Sequence, residues 1–165
     1  MASIESPREL FVHKLGDLLT AEETILEMLE ELQEKASDAK LRRDLAQHHR
    51  ETQQQVDNLH RAFQALGEPV ESQPCPAIKG IKKEGEQLLK DVDDELVDSA
   101  ILGGVIATEH YEIAGYDSLI IKAEAMGEED VVALLLENLE QEEAALDKAV
   151  KATEQLAKVE AKQTV

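Results

Sequence analysis

The sequence predicts an all-α fold: an up-down bundle of four long helices, with one long crossover that contains a short helix. Three observations carry this expectation. Apolar residues recur three and four positions apart through four long stretches. Helix-start and helix-stop residues stand at the ends of those stretches. Ala, Leu, Glu, Lys and Gln dominate, the mixture of long helices, and no alternating strand pattern competes.

Ser6-Pro7-Arg8-Glu9 opens the first helix, with Ser6 as N-cap, Pro7 at the first helical position and Glu9 three beyond the cap. Its inward stripe reads Phe11, Leu15, Leu18, Glu22, Ile25, Leu29 and Leu32, and the helix runs to about Ala36, roughly 45 Å at 1.5 Å per residue. Ser37 and Asp38 supply the next cap. The second stripe is Leu41, Leu45, Thr52, Val56, Leu59, Phe63 and Leu66, and Gly67 ends that helix. Pro69, Pro74 and Pro76 make 68–77 a loop, and a shorter helix around 78–90 is weakened by Gly80 and Gly85.

The third long helix begins near Asp93 or Asp94 and ends at Gly127. It carries Leu102, Val105, Glu109, Glu112, Tyr116, Leu119 and Ala123 on one face. Gly103, Gly104 and Gly115 lie inside it, each costing about 1 kcal/mol relative to Ala. They are expected to admit a neighbouring backbone or bulky side chain. The fourth helix starts at Glu128 to Asp130, with Val132, Leu135, Leu139, Glu142, Leu146, Ala149, Thr153 and Leu156 as its stripe. It is expected to run to about Lys158 and to fray over about 159–165. The crossover spans about 67–93, and residues 1–165 form a single domain.

Four aromatic residues (Phe11, Phe63, Tyr111, Tyr116) and no Trp leave the core to aliphatic side chains. The net charge of −19 arises from 36 acids against 17 bases. It argues against nucleic acid or an anionic membrane as partner, because both need a cationic surface. Most of these acids are expected to form a solvated exterior. Met1 to Leu10 lacks a basic start followed by an apolar run, and no stretch approaches the roughly 20 apolar residues of a membrane span, so a cytoplasmic location is expected. Cys75 is the only cysteine, which excludes an intrachain disulfide. Between Pro74 and Pro76 it reads as an exposed loop thiol with no His to activate it.

The chemistry lies in the acids that interrupt the apolar stripes. A lone carboxylate in a packed interior costs several kcal/mol, as an order of magnitude, unless it is protonated or paired. Glu22 stands about 15 residues before the turn at Ser37 and Glu51 about as far after it, and Glu112 and Glu142 flank Gly127 in the same way. Residues equidistant from a hairpin turn share a height in antiparallel neighbours, so each hairpin presents acids halfway along the bundle. Glu109 lies one turn from Glu112 on the same face. Like charges meeting at one level call for cations between them, and a pair of metal ions is the economical answer. Glu51 flanks its stripe with His48 and Gln55. His48 shares a face with Glu51, three residues away, and can supply a nitrogen; a solvated flank is the alternative.

The chain resembles the YciE/YciF family of bacterial stress-associated, ferritin-like proteins over nearly its whole length. The segments that carry the resemblance are Ala21-Glu22-Glu23, His48-His49-Arg50-Glu51-Thr52 with Gln55-Val56, Glu109-His110-Tyr111-Glu112-Ile113-Ala114-Gly115-Tyr116, and Leu139-Glu140-Gln141-Glu142. The wider ferritin and rubrerythrin superfamily builds a di-iron or di-manganese centre from such residues. The resemblance therefore implies two Fe or Mn ions on Glu22, Glu51, Glu109, Glu112 and Glu142, with His48 as nitrogen donor. Gln54 and Ala145 stand where the Glu-x-x-His pattern has histidines. The resulting oxygen-rich set suits Fe or Mn over Zn or Cu. His13, His60 and His110 read as structural or surface residues. Tyr116, one turn from Glu112 on the seam, can hydrogen-bond a ligand, carry an electron or simply fill the core.

Three functions follow: a dimetal protein that reacts with dioxygen or peroxide, a non-catalytic metal-binding or sequestering protein, and a structural interaction module of the same fold. The expected partners are metal ions and further copies of the chain, as a dimer.

Overall fold

The computed structural model describes residues 3–163. Helix α1 spans Pro7–Lys35, α2 Ala39–Leu66, α3 Pro76–Asp91, α4 Val97–Met126 and α5 Glu129–Gln163, with a single 3₁₀ turn at Asp94–Leu96 before α4. The fold is all-α, as the stripes and caps predict.

Local chemistry sets the ends. Ser6 Oγ accepts from the Glu9 backbone N–H at 3.1 Å while the Glu9 carboxylate accepts from the Ser6 N–H at 3.2 Å, a reciprocal cap with Pro7 at the first turn. Asp38 accepts from the Leu41 N–H at 2.7 Å. Gly67 and Gly127 end α2 and α4 in the left-handed region, at φ 69° and 74°. Only there does the backbone itself require glycine. Helix α5 outruns its expected end near Lys158. Ala157 to Lys162 contains good helix formers and no breaker, and the Glu160 carboxylate accepts from Ser99 Oγ at 2.5 Å, tying that segment to α4. Residues 164 and 165 of the expected frayed tail lie outside the described residues.

The helices pack in the cyclic order α1, α2, α5, α4, with α3 lying outside against α4 and α1. Two cross-links show the directions. Arg8, at the start of α1, donates to the Leu66 carbonyl at 2.7 Å and to Glu128, in the turn between α4 and α5, at 2.9 Å. At the opposite end Asp98, in the first turn of α4, accepts from the backbone N–H groups of Ser37 and Asp38 at 2.8 and 3.0 Å. So α1 runs antiparallel to both α2 and α4. Because α2 ends at the pole opposite to the start of α4, the crossover must climb the bundle, and α3 covers about 24 Å of that distance at 1.5 Å per residue.

Two contacts pin the foot of the crossover. A Cβ on Gly16 would overlap the Glu71 carbonyl oxygen, and the Gly16 carbonyl accepts from the Gln73 N–H at 2.9 Å. Cys75 is 1% exposed, with its sulfur 3.0 Å from the Tyr111 hydroxyl. The expectation of an exposed thiol is corrected: the flanking prolines stiffen a segment that lies down on the bundle, so the small apolar side chain between them is buried. The expectation for the α4 glycines holds only at Gly115, where a Cβ would come within 3.3 Å of Leu18 Cδ1. Nothing lies within 4 Å of such an atom at Gly103 or Gly104.

The core fills both ends of the bundle. Phe11, Leu15, Leu59, Phe63 and Leu135 are fully buried toward the pole of the α1 start, and Ile25 and Ile101 toward the other. Between these apolar layers lies a polar one.

Candidate metal centre

Four helices send acids or an imidazole into that middle layer. Glu22 comes from α1, His48 from α2, Glu109 and Glu112 from α4, and Glu142 from α5. All five are buried, the glutamates to 1% exposure or less. His48, Glu109, Glu112 and Glu142 each offer one ligand atom, and these atoms lie within 4.8 Å of one another, a group that can hold a metal ion. His48 Nε2 approaches Glu109 Oε1 to 2.9 Å. Glu51 stands at the edge, its side chain a quarter exposed. One of its oxygens lies 4.0 Å from His48 Nδ1 and the other accepts from Gln47 at 2.8 Å. Glu22 accepts a hydrogen bond from the Tyr116 hydroxyl on its other flank.

The distribution of hydrogen bonds is the revealing part. Both oxygens of Glu112 and of Glu142, one oxygen each of Glu22 and Glu109, and both nitrogens of His48 are buried without a hydrogen-bond partner among the described residues. The short His48–Glu109 approach falls outside hydrogen-bond geometry. Protein interiors rarely leave polar atoms so; each costs about 1–3 kcal/mol, and charged ones more. Six carboxylate oxygens and an imidazole aimed at one another are a poor core and a good set of donors for a hard cation. The donor set therefore fits a metal ion.

In the absence of an ion the acids must hold protons. Burial pushes the Glu22 carboxyl up to about 8, with the charge of Glu142 adding and the Tyr116 hydrogen bond opposing. Burial raises Glu109 to about 7, with Glu22 and Glu51 adding. Glu112 and Glu142 are likewise held well above the usual carboxylate range, first by burial. Tyr116, fully buried beside Glu22, is held well above the ordinary phenol range by desolvation.

A hydrogen-bonded chain leading from the surface to Glu22 was missed in the stripes. Arg61 donates to Asn58 Oδ1 at 3.0 Å, Asn58 Nδ2 to Asn138 Oδ1 at 2.8 Å, and Asn138 Nδ2 to the Tyr116 hydroxyl at 3.0 Å and the Gln55 carbonyl at 3.2 Å. A guanidinium only donates, and this fixes every later link: each amide oxygen must accept and each amide nitrogen donate, so the Tyr116 proton points at Glu22. Asn58 and Asn138 are 2% and 0% exposed. Asn138, three residues after Leu135 and four before Glu142, is in phase with the α5 stripe, so a search for any buried polar residue, not acids alone, finds it. Asn58 lies off the α2 stripe, and no periodicity signals it. The other tyrosine turns away: Tyr111 meets Cys75 under the crossover. His13, His60 and His110 are outside the cluster, His110 on the surface.

Residues 6–162 match the family described as Domain of unknown function, DUF892. Protein YciF of Escherichia coli is 28% identical over 144 residues, covering 86% of this chain and 87% of that protein. Among solved structures, YcfI from Rhodopseudomonas palustris, provisionally described as a structural protein, superposes with a TM-score of 0.87 at 37% identity, over 89% of this chain and 94% of the other. The crystal structure of the E. coli stress protein YciF gives 0.89 at 26%, over 94% and 99%. A protein from Xanthomonas campestris shares the fold at 0.75 and 23% identity, over 96% and 99%. The chain belongs to the DUF892 family, among the YciE/YciF-type proteins that its helix motifs resemble.

Proposed function

We propose that the protein is a ferritin-like dimetal carboxylate protein of the bacterial stress response, binding two Fe or Mn ions through Glu22, His48, Glu51, Glu109, Glu112 and Glu142. The observation that carries this reading is the set of buried carboxylate oxygens with no hydrogen-bond donor. Five glutamates carry a charge that two dications nearly cancel, and the single imidazole keeps the site hard. The stress role is supported by the likeness to YciF.

Each residue has a physical task. Glu109 and Glu112 present two acids from successive turns of α4, facing Glu22 on α1 and Glu142 on α5. His48 supplies the nitrogen. Glu51, at the wet edge, is the group that can swing between solvent and the cluster. Tyr116 holds one oxygen of Glu22 by donation and leaves the other for a cation. When bound, iron or manganese would supply the electrons for reaction with dioxygen or peroxide, and the apolar layers above and below flank the acids along the bundle axis.

The reading includes a cytoplasmic dimer. No helix among the described residues is long and apolar enough to cross a membrane. The test is elemental analysis of protein purified without chelator, followed by anaerobic Fe(II) loading and measurement of oxygen or peroxide consumption. Two ions per chain with turnover support the full reading. Ions bound without turnover favour sequestration, the reading consistent with the missing histidines at Gln54 and Ala145. No ion bound from Fe(II) or Mn(II) refutes the metal centre and leaves a structural module, the description attached to YcfI.

A further inference from the structure

Between α1, α3 and α4 the protein encloses a cavity of about 210 Å³, open to solvent at one end and reaching His48 and Glu109 at the other. Its walls include Ile25, Leu29, Ile81, Leu89, Ile101 and Val105. Protein interiors leave few voids larger than a water molecule. An apolar cavity of about 150 Å³ already admits benzene, so this one is a compartment, not a packing defect.

Two glycines line it, Gly104 on α4, between Ala100 and Thr108 one turn away on either side, and Gly85 on α3. Glycine weakens a helix interior more than any residue except proline. Neither position needs it for close approach, because a Cβ at either would meet no atom within 4 Å. Both line the cavity, so a larger side chain at either is expected to narrow it.

The mouth has its own chemistry. Acids outnumber bases 36 to 17 in the whole chain, yet here Lys35, Lys82 and Lys90 face Glu31 and Glu86. Lys82 is bound to Glu27 and Glu31 at 3.1 and 3.5 Å. Among the described residues Lys35 and Lys90 form no ion pair, which leaves two cations to meet an anion. An apolar pocket whose rim offers two lysines without an ion pair favours an amphiphile with a negative head.

We propose that this cavity binds a medium-chain aliphatic carboxylate, its tail between α1, α3 and α4 and its head at Lys35 and Lys90. The seated tail covers the His48–Glu109 end of the acid cluster. Binding requires no ion, so the test is run on the metal-free full chain in chelator, and its outcome is separate from that of the metal reading. Calorimetric titration with octanoate, octanol and octylammonium is compared for the wild type, Gly104→Leu, Gly85→Val and the double variant Lys35→Glu/Lys90→Glu, with circular dichroism as the check on folding. Octanoate is expected to bind the wild type at one site, ahead of both other probes. Either cavity-filling variant abolishes binding, and the lysine reversal weakens octanoate about tenfold. No octanoate binding by the wild type overturns the proposal. So does equal binding of octylammonium, or undiminished binding by both folded cavity-filling variants.

Discussion

Stripped of metal, the protein is expected to lose stability as pH rises from mildly acidic to mildly alkaline, the reverse of ordinary acid denaturation. In the unfolded chain a glutamate releases its proton near 4.5, whereas in the folded chain Glu22 keeps its proton to about 8 and Glu109 to about 7. Between these limits the folded state binds more protons than the unfolded state, so unfolding stability falls with pH. The contribution is complete below the unfolded value and is lost as pH climbs through the folded values. Each retained proton tilts stability by about 1.4 kcal/mol per pH unit. With Glu22 and Glu109 alone, the fall from about pH 5.5 to 6.5 is on the order of 3 kcal/mol. At about 2–4 °C per kcal/mol for a chain of this size, Tm drops by roughly 5–10 °C.

The assay is thermal melting in chelator across that range, repeated at about 1 M NaCl, where the Debye length shrinks to about 3 Å. Repulsion among the surface acids of a chain carrying −19 also grows with pH, but salt screens it. The buried cluster is beyond the reach of salt, so the slope attributable to it persists. With Fe(II) or Mn(II) present the curves should separate, because a cation displaces protons and its stabilisation grows as pH rises. A Tm that is flat or rising over this range in high salt without metal refutes the reasoning.

Three further outcomes are expected. Glu112→Gln, at a fully buried position where burial already favours the neutral acid, should leave metal-free Tm within a few degrees while cutting the Fe(II)- or Mn(II)-induced rise by roughly 5 °C or more, as a hundredfold loss of affinity costs about 2.7 kcal/mol; equal rises in both proteins would remove Glu112 from the site. Asn138→Leu breaks the Arg61–Tyr116 chain at its buried middle and should cost about 1–3 kcal/mol in denaturant melts. A neutral result would show that the chain orders nothing. Gly16→Ala should destabilise by about 1–3 kcal/mol as the crossover loop is forced off α1, whereas Gly103→Ala, with open space around it, should stabilise by up to about 1 kcal/mol. The opposite signs can be read from paired urea titrations.

Most of the fold is legible because helix information is local. The stripes of α1 and α4 name residues that are nearly all buried, and the caps at Ser6, Asp38, Gly67 and Gly127 stand at the observed ends. The depth of the acids is legible for a related reason: rise per residue is constant, so distance from a turn converts directly into height. Counting from the turns puts Glu22, Glu51, Glu112 and Glu142 at one depth. Glu22, Glu112 and Glu142 are buried there with Glu109 one turn from Glu112, whereas Glu51, off its stripe, stands at the edge. The crossover resists this method. Nothing local distinguishes Gly16, which admits a backbone, from Gly103, which admits nothing, since the difference lies in which distant segment passes overhead. Cys75 is misread on the same account. Proline flanks mark an irregular segment, and irregular is not the same as exposed.

The polar layer also holds one of its own acids in place without a cation. Four carboxyls at one level have many ways to share protons and hydrogen bonds, and a layer so degenerate would wander between arrangements. Arg61 removes part of that freedom from the surface. Its guanidinium can only donate, so Asn58, Asn138 and Tyr116 must each pass a donor inward, and Glu22 is compelled to accept. One acid of the cluster is thereby fixed in orientation and favoured as a carboxylate, which the Tyr116 hydrogen bond does against the pull of burial. Glu112 and Glu142 have no such donor. The layer thus combines one oxygen donor anchored by a hydrogen bond with others whose oxygens no protein donor holds. Glu22→Gln should therefore do more than remove a charge. It leaves an amide that can still accept from Tyr116, so the anchor survives while the carboxylate is lost. Tyr116→Phe does the converse, keeping the acid and freeing it. If Glu22 serves through its charge, metal-induced stabilisation falls in Glu22→Gln and largely persists in Tyr116→Phe. If it serves through its fixed orientation, Tyr116→Phe is the more damaging, and the two melting shifts decide between them.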